Sequence, residues 1–276
     1  MDFRADLHCH TNCSDGSLSP EELIFSAKEK GLCGISITDH DTIEAYKTAI
    51  DAAQKAGIWI GSGVEFSSVD QGTSVHVLGY DFDLENKELH EFCQIHMLRR
   101  RDRNQRILEK LEKKGMTLNL EEIESKNTAI KVPIGRPHIA MSLIEKGYVK
   151  SIQEAFNQYL GDGKSCFDPG TPMSTDLTLE TIHRAGGKAF IAHPHLMGSG
   201  NHVLKLLKKP FDGIECYYAK CPPDQERKWL RMAKEKNLLI SGGSDFHGNI
   251  KPGIPLGCSW VNEESFMKIF EKQKWK

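Results

Sequence analysis

The stretches Asp6-Leu7-His8-Cys9-His10, Thr38-Asp39-His40-Asp41 and Gly243-Ser244-Asp245-Phe246-His247 decide how this chain is read. Each puts histidines and carboxylates where an apolar run of strand length is ending. Alternate residues of a strand share a face, so His8 and His10 project together while Cys9 points the other way. Asp245 and His247 repeat that spacing near the far end of the chain. Ligand-type residues at several strand ends are the way an α/β barrel builds a metal-dependent site at one mouth.

Outward from these stretches, strand-length apolar runs alternate with amphipathic helical ones. Ser19-Pro20-Glu21-Glu22 is a helix start: Ser19 caps, Pro20 suits the first helical position and Glu22 completes a capping box. A strand from Cys33 to Thr38 delivers Asp39 and His40, a helix spans about Thr42 to Ala56, and a third strand runs from Ile58 to Glu65. This βα rhythm with crossovers predicts a parallel sheet or barrel. A strand-like piece follows from Ser74 to Gly79. The rhythm then breaks between 87 and 167, a mainly helical stretch with glycine stops at Gly115, Gly147 and Gly161. It resumes with a helix near Thr178 to Ala185, strands Ala189 to Ala192 and Gly213 to Cys216, a helix near Asp224 to Lys236, and strand Leu238 to Ser241. The expected organisation is a barrel domain from 1–86 and 168–276, with 87–167 inserted over its mouth and bringing His138 to the site.

The 276 residues suit one large domain, and 36 basic against 38 acidic side chains leave a net charge of -2. No global field draws such a chain to nucleic acid or membrane, so an anionic substrate must be held locally. No apolar run approaches the roughly 20 residues of a membrane span, and Met1-Asp2-Phe3-Arg4 lacks the long apolar stretch of a signal peptide. A cytoplasmic protein is expected, with no membrane and no obligate protein partner. Eight cysteines without a Cys-x-x-Cys pair read as reduced thiols.

The candidate ligands are His8, His10, Asp15, His40, Glu65, His76, His138, Asp245 and His247. Nine are too many for one ion. Their mixture of imidazole and carboxylate suits Mn²⁺, Zn²⁺ or Fe²⁺ better than Mg²⁺ or Ca²⁺. His90, His96, His183 and His202 have no partner motif and read as surface residues. His193, in Ala192-His193-Pro194-His195, is a candidate general acid or phosphate donor, the alternative being a structural histidine. Arg136, two residues before His138, either grips a phosphate or makes an ion pair inside the insertion. The arginines from Arg99 to Arg106 either contact a nucleic-acid backbone or form a solvated helix face.

Taken together, Asp6 to His10, Ser14-Asp15-Gly16, Ile37 to Asp41, Gly63-Val64-Glu65-Phe66-Ser67, Gly135-Arg136-Pro137-His138, Ala192-His193-Pro194 and Gly242 to His247 resemble the successive motifs of the polymerase and histidinol phosphatase (PHP) family. The resemblance runs over essentially the whole chain. It implies a distorted (β/α)₇ barrel and a centre of two or three divalent ions, Mn²⁺ foremost. One ion would be held by His8, His10, Glu65 and Asp245, a second by Glu65, His76 and His138, and a third by Asp15, His40 and His247. Asp15 stands where some relatives have histidine, a harder ligand that favours Mn²⁺ over Zn²⁺. Asp245 and His193 would be catalytic, with Arg136 and His193 on the substrate.

The implied reaction is hydrolysis of a phosphoester. The Gly135-Arg136-Pro137-His138 motif most resembles the subgroup that removes the 3′-phosphate of nucleoside 3′,5′-bisphosphates and degrades short 5′-phosphorylated RNA from its 5′ end. A histidinol-phosphate phosphatase and a metal-stabilised binding module are the alternatives.

Overall fold

The computed structural model describes residues 2–126, 133–197 and 200–276. Strand β1 (Ala5–Cys9) is followed by helix α1 (Pro20–Glu29), β2 (Gly34–Ile37), α2 (Tyr46–Ala56), β3 (Trp59–Gly61), β4 (Gly63–Asp70) and β5 (Thr73–Tyr80). Ser19 begins α1 as its sequence predicts. Its hydroxyl accepts from the Glu22 N–H at 3.2 Å, and its own N–H donates to Glu22 Oε2 at 2.8 Å.

A helical stretch comes next: α3 (Lys87–Glu112), α4 (Leu120–Lys126), α5 (Arg136–Glu145), α6 (Ile152–Ala155) and a π-helical turn at Phe156–Leu160. Residues 127–132 of the expected insertion lie outside the described residues. Alternation returns with α7 (Thr175–Arg184), β6 (Lys188–Ile191), α8 (Gly200–Leu206), β7 (Gly213–Tyr218), α9 (Pro223–Glu235), β8 (Leu239–Gly243), α10 (Glu263–Ile269) and β9 (Lys274–Trp275).

The strands form two sheets, ordered β1-β2-β3-β9 and β4-β5-β6-β7-β8, and no sheet among the described residues is closed. The architecture is a mixed α/β fold rather than the uniformly parallel one expected. Strands β4 and β5 form an antiparallel hairpin, β5 pairs antiparallel with β6, and β9 antiparallel with β3. The hairpin turns at Gln71 and Gly72, which take φ of 48° and 81°, the left-handed geometry of a two-residue link.

The strand expected from Ile58 to Glu65 is also cut. Its two halves enter different sheets across Ser62, whose N–H donates to Gln273 O and whose hydroxyl donates to Phe82 O. Glycine on either side permits the break: a Cβ on Gly61 would lie 2.3 Å from the Phe270 ring, and one on Gly63 2.2 Å from Ser36 Oγ. Helix α2 starts at Tyr46 rather than Thr42, because Asp41 turns the chain at φ 59°.

Two seams join the sheets, and both fall on the motifs. Cys9 bridges to Phe246, with Asp245 N donating to His8 O at 2.7 Å and His10 N to Phe246 O at 2.9 Å. His40 bridges to Glu65, with Asp41 N donating to Glu65 O at 3.0 Å. The backbone thus draws the ends of β1, β2, β4 and β8 together around one point. Behind that point, Leu7, Leu78, Tyr80, Phe190, Phe266 and Phe270 pack into one apolar cluster, and a larger one fills the space under the helices. No helix of the described residues is long and apolar enough to cross a membrane.

Candidate metal centre

Glu65, on β4, sits at the middle of the motifs. Its Oε2 lies 3.3 Å from His8 Nε2, 3.2 Å from His10 Nε2 and 3.2 Å from His40 Nδ1. Its Oε1 lies 2.7 Å from His76 Nδ1 and 3.0 Å from His193 Nε2. Asp245 Oδ1 closes the near side, 3.2 Å from His10 Nε2 and 3.5 Å from His8 Nε2. On the other flank Asp15 Oδ1 is 3.3 Å from His247 Nε2 and 3.7 Å from His10 Nδ1, while Oδ2 is 3.9 Å from His40 Nε2.

Three sets of donor atoms lie within 4.8 Å of one another: His8, His10, Glu65 and Asp245; His10, Asp15, His40 and His247; and His40, Glu65 and His76. Donors about 2.0–2.2 Å from a tetrahedral ion stand roughly 3.3–3.5 Å apart, which is the spacing found here. Among the described residues, both ring nitrogens of His10 and Nδ1 of His40 are buried without a well-directed hydrogen bond, although carboxylate oxygens stand 3.2 Å from His10 Nε2 and His40 Nδ1. Buried imidazole nitrogens left over in this way suit a cation that supplies the missing interaction. The residues fit a divalent-metal centre with Glu65 shared between two sets.

Electrostatics points the same way. Burial alone would raise the Glu65 carboxyl, but the imidazoles of His40, His76 and His8 hold it well below the usual carboxylate range. Asp15 and Asp245 are likewise depressed against the cost of burial, Asp15 by His40 and His247, Asp245 by Lys251, His247 and His8. In return, although burial opposes it, His10 is pushed up to about 9 by Asp245 and Glu65, while His40 is pushed down to about 3 by burial. The carboxylates call for positive charge, and the imidazoles of His8 and His10, both raised by those carboxylates, are the ones that answer with protons.

The PHP domain model matches residues 6–166. The chain belongs to the PHP family. It is 35% identical to a 5′-3′ exoribonuclease of Haemophilus influenzae over 95% of this chain and 93% of that one. A 3′,5′-nucleoside bisphosphate phosphatase of Chromobacterium violaceum is 30% identical, over 91% and 90%. Among solved structures, a Bifidobacterium adolescentis protein inferred to be a metal-dependent phosphoesterase superposes with a TM-score of 0.88 at 29% identity, covering 96% of this chain and 94% of that one. This PHP protein is therefore a hydrolase of phosphoester bonds.

Not every expected site residue reaches the cluster. His138 heads α5, where its Nδ1 accepts from the Gly135 N–H at 2.9 Å and the ring also bonds the Ser14 backbone. It does not join Glu65 and His76; it fastens α5 to the loop that carries Asp15. Arg136 is similarly engaged. Its Nη1 donates to Asp162 Oδ1 at 2.6 Å and Leu160 O at 3.1 Å, and its guanidinium lies over Phe156 and Phe167. That is the ion pair inside the helical stretch, not a free anion grip.

Other side chains matter more than their sequence context suggested. Glu215, on β7, takes His8 Nδ1 at 2.8 Å and the His193 N–H at 2.6 Å. Asp39 accepts from Thr11 and Ser14 and shapes the loop before Asp15. His96, expected at the surface, is 1% exposed and packs on Phe66 and Phe92 with Nδ1 3.1 Å from Asp41 Oδ1. Glu215 gives a faint signal, a lone carboxylate inside an apolar strand. His96 falls four residues after Phe92 on the buried face of α3.

Proposed function

We propose that this protein is a cytoplasmic, divalent-metal-dependent phosphatase and 5′-to-3′ exonuclease, acting on nucleoside 3′,5′-bisphosphates and short 5′-phosphorylated oligonucleotides. The observation that carries the substrate class is an arginine-lined cleft beside the metal centre. Asp41, Ser67, His96, Arg99, Arg100, Arg103 and Pro169 to Thr171 enclose about 50 Å³. Arg100 is neutralised by Asp41 at 2.5 Å and also donates to Ser67 Oγ at 2.9 Å. Among the described residues Arg103 donates only to the Asn104 side chain, while Arg99 reaches Thr171 O and the His96 ring through its two Nη atoms and keeps Nε buried without a partner. Burial, with Arg100 and Arg136 nearby, brings the Arg103 guanidinium down to about 9. A surplus of guanidinium fork next to a phosphoesterase centre suits a second phosphate, held while the first is hydrolysed.

The metal centre would hold two or three ions, Mn²⁺ in preference to Zn²⁺ or Fe²⁺ because Asp15, Glu65 and Asp245 supply hard oxygen donors. His8, His10, Glu65 and Asp245 would hold one, and Asp15, His40 and His247 another. His193 would join Glu65 and His76 in the place expected of His138, since its Nε2 faces the oxygen that His76 faces. Divalent ions held there would supply the Lewis acidity that activates a water and screens phosphoryl charge. Glu65 then fixes the spacing of the sets, Glu215 orients His8, and the arginines set which phosphate lies in reach. The circuit β1-β2, β4-β5-β6-β7-β8 and back to β1 across the two seams would be the distorted seven-stranded barrel, with helices α3 to α6 laid over its mouth.

Metal-free protein reconstituted with Mn²⁺ should release phosphate from adenosine 3′,5′-bisphosphate and shorten 5′-phosphorylated oligoribonucleotides, with little turnover of histidinol phosphate. Turnover of histidinol phosphate alone, or of neither substrate, would overturn the proposal.

A further inference from the structure

Strand β7 contributes none of the proposed ligands, yet two of its side chains reach the metal centre from behind. Glu215 bonds His8. Three residues on, the Tyr218 hydroxyl donates to Asp245 Oδ2 at 2.6 Å, and Lys251 Nζ donates to the same oxygen at 2.8 Å. In a regular strand residues three apart point to opposite faces.

They share a face here because β7 carries one extra residue against β8. Glu215 pairs with Ser241, but Tyr217 pairs with Gly242 and Tyr218 with Gly243. A bulge of this kind re-aims the side chain that follows it. Glycine makes the room: a Cβ on Gly242 would stand 2.5 Å from Tyr217 Cβ. With Oδ2 held from two sides, the oxygen of Asp245 left to face His8 and His10 is Oδ1.

We propose that the β7 bulge makes Tyr218 a positioning residue of the metal centre: with Lys251 it fixes Oδ2 of Asp245, so that Asp245 offers a single oxygen to the ion shared with His8, His10 and Glu65. This rests on the reading that the cluster holds divalent ions. A carboxylate free to rotate would lose orientation on binding and could chelate through both oxygens, changing the geometry of the set. Outer partners of metal ligands typically contribute about 10- to 100-fold in affinity.

The test is calorimetric titration of metal-free protein with Mn²⁺ alone. Tyr218→Phe should weaken the tightest site about tenfold while the number of sites and the melting temperature of the metal-free protein stay unchanged. In an Asp245→Asn background, the same substitution should change affinity less than about twofold, because the route to the metal runs through that carboxylate. Wild-type affinity in Tyr218→Phe, or an undiminished loss in the Asp245→Asn background, would overturn the inference. Lys251→Met approaches the same oxygen from the other side and serves as the second arm should Tyr218→Phe fold poorly. Wild-type protein that takes up no Mn²⁺ would instead defeat the metal reading itself, and the inference with it.

Discussion

His40 and Asp41 are adjacent in the chain and serve two regions of opposite charge. His40 turns to Glu65 and Asp15, in a cluster whose carboxylates lack enough fixed cations. Asp41, in the left-handed region at φ 59°, turns instead to Arg100 and His96, in a cleft whose guanidiniums lack enough carboxylates. One region fits a metal and the other an anion, and a single peptide step joins them. The contrast teaches that reaction and substrate selection are built from separate charge imbalances. Each should therefore fail separately.

The largest expected effect lies in the carboxylate region. Glu65→Gln should lower phosphate release on the order of a thousandfold, with metal content falling in parallel. Full metal content measured by elemental analysis in that variant would remove Glu65 from the centre.

At the junction, Asp41→Asn leaves Arg100 and His96 without their shared carboxylate. Denaturant unfolding of the metal-free protein should show a loss of about 3 kcal/mol, the cost typical of breaking a buried ion pair. A much smaller loss would mean that α3 docks on its apolar face alone.

The arginine region should respond in substrate binding rather than chemistry. Arg103→Met should raise KM for 5′-phosphorylated substrates about tenfold to a hundredfold, with kcat for a substrate lacking that phosphate and metal content unchanged. Loss of kcat with KM untouched would break the division between the two regions.

The smallest effect concerns the outer wall of the cleft, where Asp168 accepts from Arg106 at 3.1 Å and Lys110 at 2.9 Å. Burial would raise this carboxyl, but Lys110, Gly170 N–H and Arg106 lower it. A depressed folded value means the contribution is fully present above the unfolded pKa near 4 and is lost as pH falls through the folded one. Asp168→Asn should raise KM only a few-fold, and its gap in melting temperature from wild type should hold steady from about pH 7 to 5 and shrink below about 4. A gap that widens on acidification would contradict that sign.

Much of the site was legible before the structure because strand periodicity alone places His8 beside His10, and apolar runs that end in His40 or Asp245 announce a strand end. The hairpin of β4 and β5 was missed, because the βα rhythm around it favoured a parallel reading and Gln71-Gly72 is the one local turn signal between the two strands. His138 was not legible either. Its motif looks like a ligand's, but a histidine at the third position of a helix can also cap its own start, and sequence does not distinguish the two uses. Arg136 was captured by Asp162, 26 residues away, a contact no local pattern records.

By itself the sequence determined the alternating elements, the capped start of α1 and the candidate ligands, because these depend on residue type and on periods of two or 3.6, while the class of chemistry came from the family its motifs resemble. Only the tertiary structure decided which donor atoms lie within reach of one another and which outer residues aim them. It brought His193 rather than His138 to Glu65, turned Tyr218 inward through one extra residue in β7, and gathered Arg99, Arg100 and Arg103 around a single carboxylate. The reason is physical: coordination and charge balance depend on separations of about 3 Å between atoms from strands far apart in the chain, and those are fixed by packing and register.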